Sequence, residues 1–183
     1  MRIISGTHRG RRILAPKNLP VRPTTDMAKE ALFNILRNQV ELSVLHVLEL
    51  FSGSGNISYE FCSRGAQSVV AVDQHHACVS FVQKTAEELE FPITAVKSDV
   101  FPFLNQHSGT YDLVFADPPY ALELDDFMSL VDLIFDQNLL QTETDEKYAG
   151  MLIIEHSKHT DLSTHARFDN ARKYGGTVFS FFK

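Results

Sequence analysis

Residues 44–66 read VLHVLELFSGSGNISYEFCSRGA. Val44 to Leu50 is an apolar run of the length of a buried strand, and Gly53 and Gly55 then punctuate the chain. From Asn56 the pattern is helical until Gly65 closes it. Strand, glycine turn and helix form the opening unit of an open α/β sheet.

The same alternation continues downstream. SVVAVD (68–73) reads as a strand and ACVSFVQKTAEELE (77–90) as a helix. PITAVKSD (92–99) and YDLVFAD (111–117) read as two further strands, and LDDFMSLVDLIFDQNLL (124–140) as an amphipathic helix. GMLIIEHS (150–157) is a fifth strand, and RKYGGTVFSFFK (172–183) a strand pair turning near Gly175-Gly176. The expected fold class is therefore α/β: a mostly parallel seven-stranded sheet with helices on both faces and an antiparallel C-terminal strand at one edge. One domain is expected over residues 1–183, with an N-terminal arm at 1–25 and the sheet core at 26–183. In the arm, IISGTHRGRRILAP (3–16) reads as a hairpin, and the prolines of LPVRPTTD (19–26) forbid a helix there. Thr25 or Asp26 then caps a helix whose apolar positions recur at helical spacing.

Charge is unevenly spread. The chain of 183 residues carries 17 Lys/Arg and 23 Asp/Glu, a net charge of −6. Residues 1–25 hold six of the basic residues and no acid, so the remainder holds 17 − 6 = 11 basic against 23 acidic groups. A basic arm on an acidic body suits an anionic partner at one face. The acids of residues 123–146 read as a solvated face. The two cysteines, Cys62 and Cys78, form neither a disulfide framework nor a metal pattern, and no metal is expected. The N-terminus lacks the apolar core of a signal peptide, and no apolar run has the length of a membrane span. A cytoplasmic monomer with no membrane association is expected.

Ligands of such sheets bind beyond the carboxyl ends of the strands. The first strand ends in ELFSGSGNIS (49–58), whose glycines let backbone approach a ligand and whose following helix can present its first amides. It lacks the third glycine of the dinucleotide fingerprint, Ser58 standing in its place, and the chain has no P-loop lysine. Asp73 ends the second strand, where a carboxylate accepts from ribose hydroxyls. Asp99 ends the third, placed to accept from an adenine amine. Glu49, Asp73 and Asp99 together describe a pocket for an adenosine that is not strongly anionic.

The fourth strand ends in Asp117-Pro118-Pro119-Tyr120. Proline has no N–H, so the Asp117 carboxylate and the Pro118 carbonyl can each accept one hydrogen of an NH₂ group without competing backbone donors. Tyr120 can stack on the ring that carries the amine. Such an amine is a poor nucleophile, and two acceptors favour the pyramidal geometry of attack and the charge that develops. An adenosine pocket beside an amine-activating pocket calls for S-adenosylmethionine, whose sulfonium tolerates the acids.

At these motifs the sequence resembles a Class I (Rossmann-like) methyltransferase of the amine-methylating type, and more closely the RsmD family. The arm RGRRILAP, the segment RPTTDMAKEALFNIL, the loop LELFSGSGNISYEFCSRGA, FADPPY and RKYGGT follow that family's layout in order. Glu49 and Ser52 stand where the family usually has Asp and Ala. The resemblance implies methylation of the exocyclic N2 amine of a guanine in small-subunit (16S) ribosomal RNA, within a partly or fully assembled subunit. It implies cofactor contact by Glu49, Gly53, Gly55, Asp73 and Asp99 with their neighbours Phe51, Ser54, Asn56, Gln74 and Val100. It implies amine contact by Asp117, Pro118, Pro119 and Tyr120, and RNA contact by Arg9, Arg11, Arg12 and Arg22. The DPPY motif is shared by adenine- and cytosine-amine methyltransferases acting on other RNA or DNA, so it does not choose the base. A non-catalytic assembly factor that merely holds the cofactor is the alternative from another class.

Overall fold

A computed structural model describes residues 1–21, 25–143 and 149–183. The expectations for Arg22, Pro23, Asp145 and Glu146 lie outside the described residues. Among the described residues, no helix is long and apolar enough to cross a membrane.

Helix α1 spans Asp26–Leu36, and its N-cap Thr25 accepts from the Ala28 N–H. A 3₁₀ turn at Leu42–Val44 delays the first strand, so β1 runs His46–Leu50. Then follow α2 (Asn56–Ser63), β2 (Ser68–Asp73), α3 (His76–Glu88), β3 (Ile93–Lys97), α4 (Val100–Gln106) and β4 (Leu113–Ala116). The chain closes with α5 (Leu124–Asp136), β5 (Met151–Ser157), β6 (Phe168–Tyr174) and β7 (Thr177–Phe182). The expected helix over 124–140 stops early because Asn138 takes a positive φ of 52° and Leu140 bridges to Tyr111.

The seven strands form one sheet in the order β3-β2-β1-β4-β5-β7-β6. The first five in chain order are parallel, and β7 is antiparallel to both β5 and β6. The antiparallel C-terminal strand is present as expected, but it lies one strand in from the margin, with β6 outside it. The hairpin turn at Gly175-Gly176 lets β7 return along β5, which leaves its partner β6 as the edge.

Alternating side chains divide the core into two layers. Val47, Val69, Phe115 and Ile153 meet α1, α2 and α3 on one face. Leu48, Val72, Val114 and Ile154 meet α4 and α5 on the other. Strand order reverses between β1, whose next strands lie to one side, and β4, which pairs on its other side. That switch opens a crevice at the carboxyl ends of the strands.

The arm is tied down by an acid. Met1 to Ile13 folds back as a short antiparallel loop, with Ile3 N donating to the Arg11 carbonyl at 3.0 Å and an Arg2–Arg12 bridge. Glu60 of α2 is fully buried and accepts from the backbone N–H groups of Ile4 (2.9 Å) and Ser5 (3.1 Å). It also pairs with Arg64 at 2.8 Å and with buried Lys29 of α1 at 3.3 Å. Lys29 in turn donates to the Arg2 carbonyl and to Asn56. Burial pulls the Lys29 amine below its usual range, and Glu60 opposes that pull.

Replacing one member of a buried ion pair strands the other. Glu60→Ala therefore lowers stability by about 3–5 kcal/mol in urea unfolding. It also speeds hydrogen exchange at the Ile4 and Ser5 amides; unchanged exchange there would mean that Glu60 does not hold the arm.

Candidate active site

The crevice is a cavity of about 470 Å³. That size lies within the range of small-molecule sites. Its walls come from the ends of β1, β2, β3, β4 and β5 and from the end of the arm.

Register places its acids. Leu50 pairs with both Val72 and Ala116, and Ala116 pairs with Ile154. The next residues along β2, β4 and β5 are Asp73, Asp117 and Glu155. Each continues the alternate positions that face α1–α3 below them, and all three line the cavity. Glu49 sits on the same face of β1, one pleat deeper. Four carboxylates thus gather from four adjacent strands.

Asp73 is nearly buried, and its two oxygens accept from Gly53 N and His75 N, each at 2.8 Å. It fixes the loops on either side while each oxygen retains a further lone pair toward the cavity. Asp99 caps α4 by accepting from Phe101 N at 3.1 Å and also lines the cavity. Phe51 leaves β1 with a positive φ of 58°, a conformation costing ~1–2 kcal/mol outside glycine. That turn lays residues 51–54 along the wall, and Gln74 and Val100 complete this side.

Three expected cofactor residues lie behind the wall. A Cβ on Gly55 would meet Tyr59 and Val82 at 2.9 Å, so this glycine answers to the packing of α2 and α3. Asn56 accepts from Lys29 at 2.8 Å, and the first turn of α2 is buried. The amides of that turn therefore do not border the cavity as expected; residues 51–54 intervene. Glu49 is buried under the floor and accepts from Ser58 Oγ. Burial first, and the neighbouring Asp117 and Asp73 after it, push its carboxyl up to about 8 against the pull of Ser58.

On the far side of β1 the chain leaves β4 through Asp117, whose N–H still reaches the Leu50 carbonyl at 3.3 Å. Pro118 is buried, and the turn closes with Leu122 N donating to the Pro119 carbonyl at 2.9 Å. Tyr120 is 50% exposed at the rim. The opposite lip is Pro20, Val21 and Thr25, so the arm ends at the cavity mouth. Arg9, Arg11 and Arg12 are exposed along that arm. Among the described residues no group of three or more His, Cys, Asp or Glu is placed to hold a metal ion. Burial pushes the thiols of Cys62 and Cys78 up to about 12 and about 11, so neither is a nucleophile at neutral pH.

The family model described as "Conserved hypothetical protein 95" matches residues 1–183. A protein of Escherichia coli named "Ribosomal RNA small subunit methyltransferase D" is 31% identical over 144 residues, 78% of this chain and 71% of that protein. One of the same name from Buchnera aphidicola subsp. Baizongia pistaciae is 30% identical over 125 residues, covering 68% of this chain and 63% of that protein. The solved structure of yhhF from Escherichia coli superposes with a TM-score of 0.84 at 25% identity, over 100% of this chain and 96% of that one.

The raised Glu49 couples stability to pH. Folded, the carboxyl keeps its proton until about pH 8; unfolded, it releases it near 4.5. The unfolded state therefore binds fewer protons across that window, and stability falls as pH rises through it, by at most about 1.4 kcal/mol per pH unit. Urea unfolding of the unliganded protein at pH 5, 6.5 and 8 should show wild type losing ground to Glu49→Gln; parallel profiles would place Glu49 in solvent.

Proposed function

The chain belongs to the RsmD family, and from that premise we propose that it transfers a methyl group from S-adenosylmethionine to the exocyclic N2 amine of a guanine in small-subunit ribosomal RNA. The observation that carries the reading is the Asp117-Pro118-Pro119-Tyr120 turn standing level with Asp73 across β1, inside one cavity. The relatives' names supply methyl transfer and ribosomal RNA; the cavity supplies the chemistry.

The residues fit the cofactor. Asp73 offers acceptors to ribose hydroxyls and Asp99 to an adenine amine, while Phe51 to Ser54, Gln74 and Val100 form the walls around them. Nothing there favours a polyphosphate, since carboxylates surround the space. S-adenosylmethionine supplies, when bound, an electrophilic methyl on a cationic sulfur. Glu49, which keeps its proton until about pH 8, lies neutral beneath the floor.

Asp117 and the Pro118 carbonyl grip the acceptor amine, each taking one hydrogen. This holds the nitrogen lone pair toward the methyl and stabilises the positive charge that develops. The amine nitrogen gains carbon and sheds one proton, which the Asp117 carboxylate is placed to hold. Tyr120, open at the rim, stacks on the flipped base. Orientation alone accounts for about 7–11 kcal/mol of barrier reduction at its limit.

Arg9, Arg11 and Arg12 engage phosphates along the arm, whose end forms the cavity lip. Unstacking a guanine costs a few kcal/mol, so a base already presented in a loop of an assembled particle is the natural acceptor.

Wild-type enzyme should place one N2-methylguanosine in ribosomal RNA from cells lacking this protein, read by mass analysis of nucleosides. Asp117→Ala should lower kcat by about 10²–10³-fold with cofactor affinity within a few-fold; a variant that keeps full turnover defeats the assignment. Replacing Arg9, Arg11 and Arg12 by Ala should raise KM for RNA and flatten its salt dependence by about one slope unit for each phosphate left without its arginine. An unchanged slope would place the RNA elsewhere.

A further inference from the structure

Glu155 is the carboxylate of the cavity that the sequence motifs do not claim. It follows four buried apolar residues of β5, Met151 to Ile154, and is itself only 5% exposed. A carboxylate kept in such a strand costs several kcal/mol of desolvation. Acids retained in a cleft at that cost mark functional sites. The side chain lines the same cavity as Asp117, Pro118 and Tyr120. Ala116 pairs with Ile154, so Glu155 stands level with Asp117 on the neighbouring strand. Adjacent strands lie ~4.8 Å apart, so side chains ending two of them can converge on one base edge.

The acceptor amine held by Asp117 and Pro118 occurs on adenine, cytosine and guanine alike. What differs is the ring nitrogen beside it. In guanine that atom, N1, carries a hydrogen; in adenine (N1) and cytosine (N3) it carries a lone pair. An ionised carboxylate accepts hydrogen bonds and donates none. Beside the amine site it attracts the guanine edge and repels the other two.

We propose that Glu155 reads the base: its carboxylate accepts the N1–H of guanine while Asp117 and Pro118 hold the N2 amine. The proposal rests on the methyltransferase reading above and supplies the discrimination that the shared motif lacks. Asp73 and Asp99 serve the donor on one side of β1; Asp117 and Glu155 serve the acceptor on the other.

The test uses small subunits reconstituted with 16S RNA carrying, at the methylated position, either guanine or 2-aminopurine. The latter keeps the N2 amine but has no hydrogen on N1. Wild type should prefer guanine by about 10–100-fold in kcat/KM, the discrimination one good base-edge contact supplies. Glu155→Gln, whose amide can donate to the bare N1, should bring the two substrates within a few-fold of each other, chiefly through KM, with cofactor affinity unchanged. Glu155→Asp, which keeps the charge, should retain guanine preference at reduced kcat/KM. Equal use of both bases by wild type, or wild-type preference in Glu155→Gln, overturns the proposal and leaves guanine methylation standing. Transfer by wild type to an adenine or cytosine amine overturns both.

Discussion

Parallel strands all end on one edge, and here that constraint collects charge. β1, β2, β4 and β5 run side by side, and each brings an acid to the same face within one pleat of the others. Glu49, the deepest member, is raised to about 8 by burial and by the neighbouring Asp117 and Asp73. A cavity in that state favours cations and hydrogen-bond donors over anions. Ribose hydroxyls, an adenine amine, a sulfonium and a nucleobase amine are all of the favoured kind, which ties the donor and acceptor chemistries to one electrostatic cause.

The anionic RNA must then be held by something other than the cavity. In the proposed function the arm meets that need, and its attachment uses the same device on a smaller scale. Glu60 gathers two backbone amides, Lys29 and Arg64 around one buried carboxylate. The fit is close: a Cβ on Gly6 would lie 1.7 Å from the Ser63 carbonyl oxygen. From this anchorage the chain runs to Pro20 and Val21 at the cavity lip, where Val21 meets Gly53 of the strand-end loop. Basic surface and acidic cavity are thereby joined by a short path of chain.

Most of the sheet could be read from periodicity, because buried parallel strands and amphipathic helices leave unlike patterns. α4 left no such mark: VFPFLNQ is short and contains Pro102, which looks like a breaker. Pro102 falls in the first helical turn, where a missing N–H costs nothing. Asp73, Asp99 and Asp117 were legible as acids at strand ends. Gly55 and Asn56 fall behind the cavity wall, which the sequence does not reveal: a glycine turn reads alike whether ligand or packing demands it, and the positions of Tyr59, Val82 and Lys29 show the packing. Glu60 was hidden in an ordinary helix, its amide partners more than 50 residues away in the chain. Glu155 had a signal, the fourth strand-end acid, obscured because GMLIIEHS runs on for two residues beyond it.

The topology also fits the proposal that base choice falls to β5. In the proposed function the donor occupies the β2 and β3 side of the switch point, so β1 is the shared wall and the acceptor approaches over β4. An amine gripped at the end of β4 presents the rest of its edge outward, away from β1, and the next strand in that direction is β5. Any group that tells guanine from adenine must therefore stand at the carboxyl end of β5, level with the grip. An acid in that position and a hydrogen on N1 are complementary, whereas an apolar residue there would leave the grip indifferent to the ring it holds.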